Sequence, residues 1–335
     1  MNYYCRTSSS RHKHRSRAWI FYVGLIAAFF MVKSFTNRTK PSEVIGRTDE
    51  VNPYSYSREV ERNLMPPAQE KSPKTVVKTE SKQESSKTIA EAKIIVETNP
   101  AKIIESRNTL NEILTSNPSP EQQFSVKNQL AALSKEWLFS KNIYDGDTLC
   151  GRYKVEIGDT FAVLGRKFKV PYEILMQINN ISNAKSLRAG DSIKVINGPF
   201  HCIIYRSAFT MDLYLQDTYV RSFQVGLGKP GMETPTGRWI VKPGGKLISP
   251  TWTDPDTGKT YESTNPNYPL GSRWIALDGV EGAAKGAMGF AIHGTKEPQQ
   301  IGKADSRGCI RLHDEDVKLI YNLLTPGLSQ VTVIE

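Results

Sequence analysis

Apolar and polar positions divide the chain into stretches of different period. Ala18 to Val32 is an unbroken apolar run between Arg17 and Lys33. Residues 36–98 have no sustained apolar period and are rich in Lys, Glu, Ser, Thr and Pro. From residue 99 the period turns helical. Ile103, Ile104, Leu110, Ile113 and Leu114 suit one helix, and Phe124, Val126, Leu130, Leu133, Trp137 and Leu138 suit a second. Ser119-Pro120-Glu121-Gln122 opens the second as a capping box with proline in its first turn. Residues 99–141 are therefore expected to form a short helical hairpin, a packing or spacer element.

The next unit, residues 150–197, begins with the alternating segment Tyr153-Lys154-Val155-Glu156-Ile157 and the turn Gly158-Asp159-Thr160. Phe161, Val163, Leu164 and Phe168 have helical spacing, and a second short helix runs from Pro171 through Ile178 to Asn179-Asn180. Ser192 to Ile196 closes the unit, giving a small βααβ domain. Residues 198–335 are mostly short strands with turn punctuation, among them Ile203 to Tyr205, Asp212 to Leu215, Tyr219 to Val225 and Arg238 to Val241. A sandwich or barrel-like domain is expected there, with one helix at Asp314 to Leu324 and a last strand from Ser329 to Ile334.

Charge changes the reading of the N-terminus. The formal net charge is +10, and Arg6, Arg11, Lys13, Arg15 and Arg17 precede the apolar run with no acid among residues 1–17. Fifteen apolar residues fall short of the roughly 20 that span a bilayer core. Snorkelling of Arg17 and Lys33, with Ser34 and Phe35, extends the usable length. A cleaved signal would need small residues where Phe29, Phe30, Met31 and Val32 stand. Residues 18–35 are read as an uncleaved signal anchor, ahead of a cleaved signal or a soluble core helix. The basic arm, 1–17, is then cytoplasmic and the rest lies outside a single-pass membrane helix. Residues 36–98 become a disordered tether, because so polar a segment cannot bury enough surface to offset its ordering entropy. No nucleic-acid partner is expected. The five histidines are scattered with no metal-ligand spacing, so no metal is expected.

The chemistry concentrates in Ala291 to Leu312, AIHGTKEPQQIGKADSRGCIRL. A thiol reacts as thiolate, which needs a base or a positive field, and His293, Arg307 and Arg311 offer both to Cys309. Gly308 permits a sharp turn that would aim nearby amides at an oxyanion. This stretch resembles the catalytic motif of the L,D-transpeptidase (YkuD) family: His293-Gly294, a spacer, then Ser306-Arg307-Gly308-Cys309-Ile310-Arg311. Many members carry a second histidine where Arg307 stands. Further landmarks are Thr234-Pro235-Thr236-Gly237, Leu270-Gly271-Ser272-Arg273-Trp274 and Met288-Gly289-Phe290.

The resemblance implies a mostly-β catalytic domain of β-sandwich type. It makes Cys309 the nucleophile and His293 the proton donor and acceptor, oriented by the Gly294 carbonyl, with Gly308 in the oxyanion amide region. Ser306, Arg307 and Arg311 would bind substrate, Ser306 also holding loop geometry. His313 is expected to cap the last helix, and the loop Pro250 to Pro269 is either a lid or a surface excursion. The unit at 150–197 resembles a LysM module through YKVEIGDT, PYEILMQINN and LRAGDSIKV. By that resemblance Gly158, Asp159, Thr160, Asn179, Asn180 and Ile181 line a glycan groove, although the same residues also make plain turns and caps. Cys150 and Cys202 flank the module, and a disulfide between them is expected on the exported side of a membrane. Together these imply a membrane-anchored enzyme acting on peptidoglycan stem peptides and glycan strands, forming 3→3 cross-links or joining another amine with no organic cofactor. An L,D-carboxypeptidase with the same residues, or a non-catalytic wall-binding protein, are the alternatives. Acceptor amine and oligomeric state stay open.

Overall fold

The computed structural model describes residues 102–335; the apolar run, the tether and Cys5 lie outside them. Among the described residues no helix is long and apolar enough to cross a membrane.

Helices α1 (Ile103–Thr115) and α2 (Pro120–Trp137) form the hairpin. Ser119 and Gln122 complete the reciprocal capping box of α2. On its buried face lie Val126, Leu130 and Trp137. The module consists of β1 (Cys150–Lys154), α3 (Phe161–Lys167), α4 (Tyr172–Ile178) and β2 (Ser192–Ile196), with β1 and β2 antiparallel. Buried polar contacts tie it to the hairpin. Lys194 Nζ donates to the carbonyls of Trp137 (2.6 Å) and Ser140 (3.0 Å). The buried Arg107–Asp147 pair, at 2.8 Å, sits beside Trp137, over whose ring the guanidinium lies at 4.5 Å.

The C-terminal part is built on one mixed eight-stranded sheet, ordered β13-β11-β10-β7-β14-β3-β4-β5. Its strands are β3 (Phe200–Tyr205), β4 (Thr210–Leu215), β5 (Thr218–Gln224), β7 (Gly237–Ile248), β10 (Arg273–Gly279), β11 (Phe290–His293), β13 (Ile310–Arg311) and β14 (Gln330–Ile334). The pairs β11–β13 and β14–β3 are parallel. Two smaller pairs stand apart: β6 (Leu227–Gly228) with β12 (Ala304–Ser306), and the hairpin of β8 (Trp252–Thr253) and β9 (Thr260–Tyr261). The mostly-β expectation holds, but the sandwich does not take the form of two separate large sheets. The long strand β7 carries the sheet through an irregularity opposite Ile275 and Leu277, and such bulges bend a sheet.

The edge strand β5 would expose unpaired backbone groups, and the hairpin covers it. Asn111 accepts from the Tyr219 amide (3.1 Å) and donates to the Asp217 carbonyl (3.3 Å), while Lys127 pairs with buried Asp212 at 2.5 Å. One hydrophobic core runs from Ile103 and Trp137 through the module's Leu164 and Ile174 to Trp239, Ile292 and Ile320. The last helix, α5 (Asp314–Leu323), buries Val317, Ile320 and Leu323 and puts Asp314, Glu315 and Asp316 at its positive end. His313 occupies the N-cap position, but its side chain makes no cap hydrogen bond. The acids of the first turn meet that end instead.

The expected Cys150–Cys202 bridge is not formed, and both are free buried thiols. The residue across from Cys150 in the β1–β2 ladder is Ile196, whereas Cys202 lies in the large sheet between Leu213 and Val331. Each thiol is committed to a different sheet. Burial pushes Cys150 up to about 12 and raises Cys202 as well, so both are inert as nucleophiles.

Candidate active site

Strand alternation assembles the site. Parallel pairing sets Ile292 beside Ile310 and His293 beside Arg311, and the antiparallel neighbour puts Trp274 opposite His293. Side chains two apart share a face. Ile275, Ile292 and Ile310 therefore enter the core, while Ala291, His293, Trp274, Cys309 and Arg311 turn to the other side. There Trp274, His293, Cys309 and Arg311 border a cavity of about 390 Å³, walled by Met232, Trp252, Leu270, Met288 and Phe290. The lining is largely apolar, with two arginines at the thiol.

His293 is buried and stacked on Trp274, with ring centroids 5.5 Å apart. Its Nδ1 lies 2.6 Å from the Gly294 carbonyl. A carbonyl can only accept, so Nδ1 carries the proton and Nε2 keeps its lone pair. Burial drives the imidazole down to about 4 and the Arg311 charge adds to this, against the Gly294 and Leu270 carbonyls that favour the protonated ring. The resting imidazole at neutral pH is a neutral base.

Cys309 is half-buried, and its thiol faces the Gly289 carbonyl at 3.9 Å. The loop that presents it is fixed from inside. Ser306 Oγ donates to the Cys309 carbonyl at 2.6 Å and accepts from the Gly308 amide at 3.0 Å. Thr234 Oγ1 donates to the Gly308 carbonyl at 2.8 Å and accepts from the Gly228 amide at 3.2 Å. Gly308 has φ +109°, and a Cβ there would come within 2.6 Å of the Phe290 ring. Only glycine fits. One expectation needs correction: the Gly308 amide is already donated to Ser306, so it does not stand open as an oxyanion donor. Ser306 holds the loop geometry expected of it, with both bonds of its hydroxyl made inside the loop.

The two arginines also part company. Arg307 pairs with Asp254 at 3.2 Å and with Asp256, both on the β8–β9 hairpin. Its charge is matched by carboxylates, which answers against a free substrate clamp. Arg311 bonds instead to the Gln300 side-chain oxygen and, at 3.5 Å, to the Asp305 carbonyl. Burial lowers its guanidinium from the ordinary value, opposed by Cys309, Asp305 and Glu297. The hairpin itself covers the cavity: Trp252 joins Tyr268, Leu270 and Trp274 in one cluster that Cys309 packs against. Tyr268 donates its hydroxyl to the Pro250 carbonyl at 2.6 Å and closes the loop. Of the two readings of 250–269, the lid is the one that the packing favours. Among the described residues no cluster of His, Cys, Asp and Glu is placed to hold a metal.

Residues 199–333 match the family model of the L,D-transpeptidase catalytic domain, YkuD, and residues 153–195 match that of the LysM domain. The putative L,D-transpeptidase YkuD of Bacillus subtilis is 30% identical over 188 residues, covering 54% of this chain and 97% of that protein. This chain belongs to the YkuD L,D-transpeptidase family. The namesake from Bacillus licheniformis is 28% identical over 182 residues, 52% of this chain and 94% of its own. The Escherichia coli probable L,D-transpeptidase YcfS is 26% identical over 212 residues, 56% of this chain and 64% of its own.

In the LysM domain the six expected groove residues have unequal freedom. Asp159 accepts from the Tyr153 hydroxyl and the Glu156 amide, each at 2.9 Å. Thr160 caps α3 through the Val163 amide. Asn179 is buried, donating to the Leu175 and Lys194 carbonyls and accepting from the Lys194 amide, all at 2.8 Å. That side chain staples α4 to β2 and is not a groove contact. Gly158 and Asn180 are exposed and Ile181 half-exposed, beside Ile157, which is 95% exposed. Sequence reasoning passed over Thr234 and Gln300. Thr234 stood within a family landmark, but nothing local pointed to Gln300.

Proposed function

We propose that this chain is a membrane-anchored cysteine L,D-transpeptidase acting on peptidoglycan tetrapeptide stems. The observation that carries the reading is the placement of Cys309, just before β13, and His293, on β11 with its Nδ1 against the Gly294 carbonyl, on one side of the sheet at an apolar cavity. His293 takes the Cys309 proton on Nε2 as sulfur attacks the carbonyl of the third stem residue. A sulfur–carbon bond forms. The imidazolium, acidic because burial disfavours it, gives its proton to the departing D-amino acid as the amide bond breaks. An acceptor amine then attacks the thioester, loses its proton to His293, and releases Cys309. Arg311 supplies positive charge beside the sulfur throughout. The LysM domain would hold the glycan strand, the residue 18–35 helix would anchor the enzyme, and the catalytic part would face outward.

Product analysis tests this. The full chain and its Cys309→Ala variant are incubated with a disaccharide tetrapeptide and followed by mass spectrometry. Loss of the terminal D-amino acid together with a cross-linked dimer, from the parent alone, is expected. Monomeric tripeptide without dimer would make it a carboxypeptidase, and no turnover across plausible stems would leave a wall-binding protein.

A further inference from the structure

The two arginines that flank Cys309 differ in what neutralises them. Arg307 meets two carboxylates, on Asp254 and Asp256. Arg311 meets none: its hydrogen bonds go to an amide side chain and a backbone carbonyl. The Gln300 amide in turn donates through Nε2 to the Glu297 carboxylate. A relay results, in which the Glu297 carboxylate stands one hydrogen bond behind Arg311, while Asp305, whose charge also acts on Arg311, bonds to it only through its backbone carbonyl. The turn Pro298–Gln300 that holds Gln300 is pressed against the arginine's own strand. Gly226 exchanges backbone hydrogen bonds with Arg311 at 2.9 and 2.8 Å, and the Gln300 carbonyl lies 2.6 Å from where a Cβ on Gly226 would be. Gly302 donates to the Val225 carbonyl at 3.1 Å, fixing the far side of the same turn.

A carboxylate in direct contact would cancel most of the guanidinium field, because opposite charges at contact screen each other from a third group. A neutral acceptor fixes the guanidinium without doing so. We propose that Gln300 is a positioning residue for the acyl-transfer site: its side-chain oxygen anchors Arg311 while keeping a carboxylate off it, so that the arginine's charge acts on Cys309. The inference rests on the reading of Cys309 as the reacting thiol. The titratable and charged groups that face this centre are His293 on β11, Asp305 on β12, Glu297 before the turn, and Arg307 in the nucleophile loop with its partners Asp254 and Asp256.

The test moves the carboxylate one hydrogen bond forward without changing net charge. In the full chain, Glu297→Gln and Gln300→Glu are combined, which reverses the relay and brings a carboxylate onto Arg311. Alkylation of Cys309 by iodoacetamide is followed against pH by peptide mass spectrometry, in the parent and in Arg311→Gln, each with and without the swap. In the parent background the swap should raise the midpoint of the alkylation curve by about one pH unit, which slows alkylation at pH 7 about tenfold. In the Arg311→Gln background it should move the midpoint by less than a third of that. Gln300→Met, which removes the acceptor and adds no charge, should lower kcat more than it raises KM. An unmoved midpoint, or an equal movement in both backgrounds, would overturn the role assigned to Gln300. A midpoint that moves as expected in a protein that forms no acyl-transfer product would instead sink the transpeptidase reading and leave the electrostatic inference standing.

Discussion

The Cys309 cavity and the loops of the LysM domain both gather polar residues at a surface, and they use them in opposite ways. At the cavity the structural work is done by Ser306 and Thr234 from behind, and His293, Cys309 and Arg311 are left turned toward the space. In the LysM domain Asp159, Thr160 and Asn179 are consumed by turn, cap and staple, and what faces outward is Ile157, Gly158, Asn180 and Ile181. The lesson concerns the kind of recognition each surface can offer. The first can change the protonation and bonding of a substrate. The second can offer backbone groups and apolar contact, suited to sugar faces and acetamido methyls, with few free charges.

Substitutions should separate the two regions. His293→Ala is expected to have the largest effect, lowering kcat/KM by about a hundredfold to ten-thousandfold through loss of the base. Retention on insoluble peptidoglycan should stay as in the parent. A matching loss of retention would mean that the regions are not independent.

Asn179→Ala comes next and acts on the fold. It leaves three buried backbone hydrogen bonds without their partner, at a cost of about 3 kcal/mol. A urea unfolding curve reads this directly. Ile157→Ser, at a position 95% exposed, should shift that curve by less than about 0.5 kcal/mol yet weaken glycan retention. Reversed effects at these two positions would contradict the division drawn above.

Acid should sharpen the contrast. His293 and His201 are each held at about 4 by burial, and His201 Nδ1 accepts the Gln330 amide, a bond that requires an unprotonated nitrogen. The unfolded chain takes up these protons as pH falls through about 6.5, before the native state does. Stability is therefore lost between pH 6.5 and 4, by up to about 3 kcal/mol for each histidine, and these two groups add no further loss below that. Unfolding midpoints at pH 7 and pH 4.5 measure it, and His201→Gln should remove part of the difference. The acid limb of kcat/KM should fall near pH 4 rather than 6.5.

Arg307→Ala should have the smallest effect. Its pairs with Asp254 and Asp256 are partly exposed, so their loss costs less than about 1 kcal/mol. A change in kcat/KM of more than about tenfold would show that Arg307 touches substrate after all.

Much of this was open to reading in the sequence, for physical reasons. Helices announced themselves through Ser119-Pro120 and the acids after His313, and the βααβ unit through its turns. The motif grouped His293, Cys309 and Arg311, but that they share a face followed only from the strand pairing. Other features depend on segments that meet only in three dimensions. Thr234 reaches Gly308 across 74 residues, and Arg307 finds Asp254 across 53. The commitment of the Gly308 amide to Ser306 follows from loop geometry that no motif spells out. Cys150 and Cys202 looked like a pair because they flank one module, yet their side chains belong to different sheets. Asn179 read as a groove ligand with a helix end as the alternative, and burial against Lys194 decided against the ligand.

The central claim is that Cys309 carries the acyl group. Intact-mass spectrometry of the full chain, quenched in acid seconds after mixing with a disaccharide tetrapeptide, tests it most directly. The account predicts a mass gain equal to the donor minus its terminal D-amino acid, mapped to Cys309, absent in Cys309→Ala, and lost on adding an amine acceptor as cross-linked product appears. Cross-linked product formed equally by Cys309→Ala, or an adduct on any other residue, would contradict it.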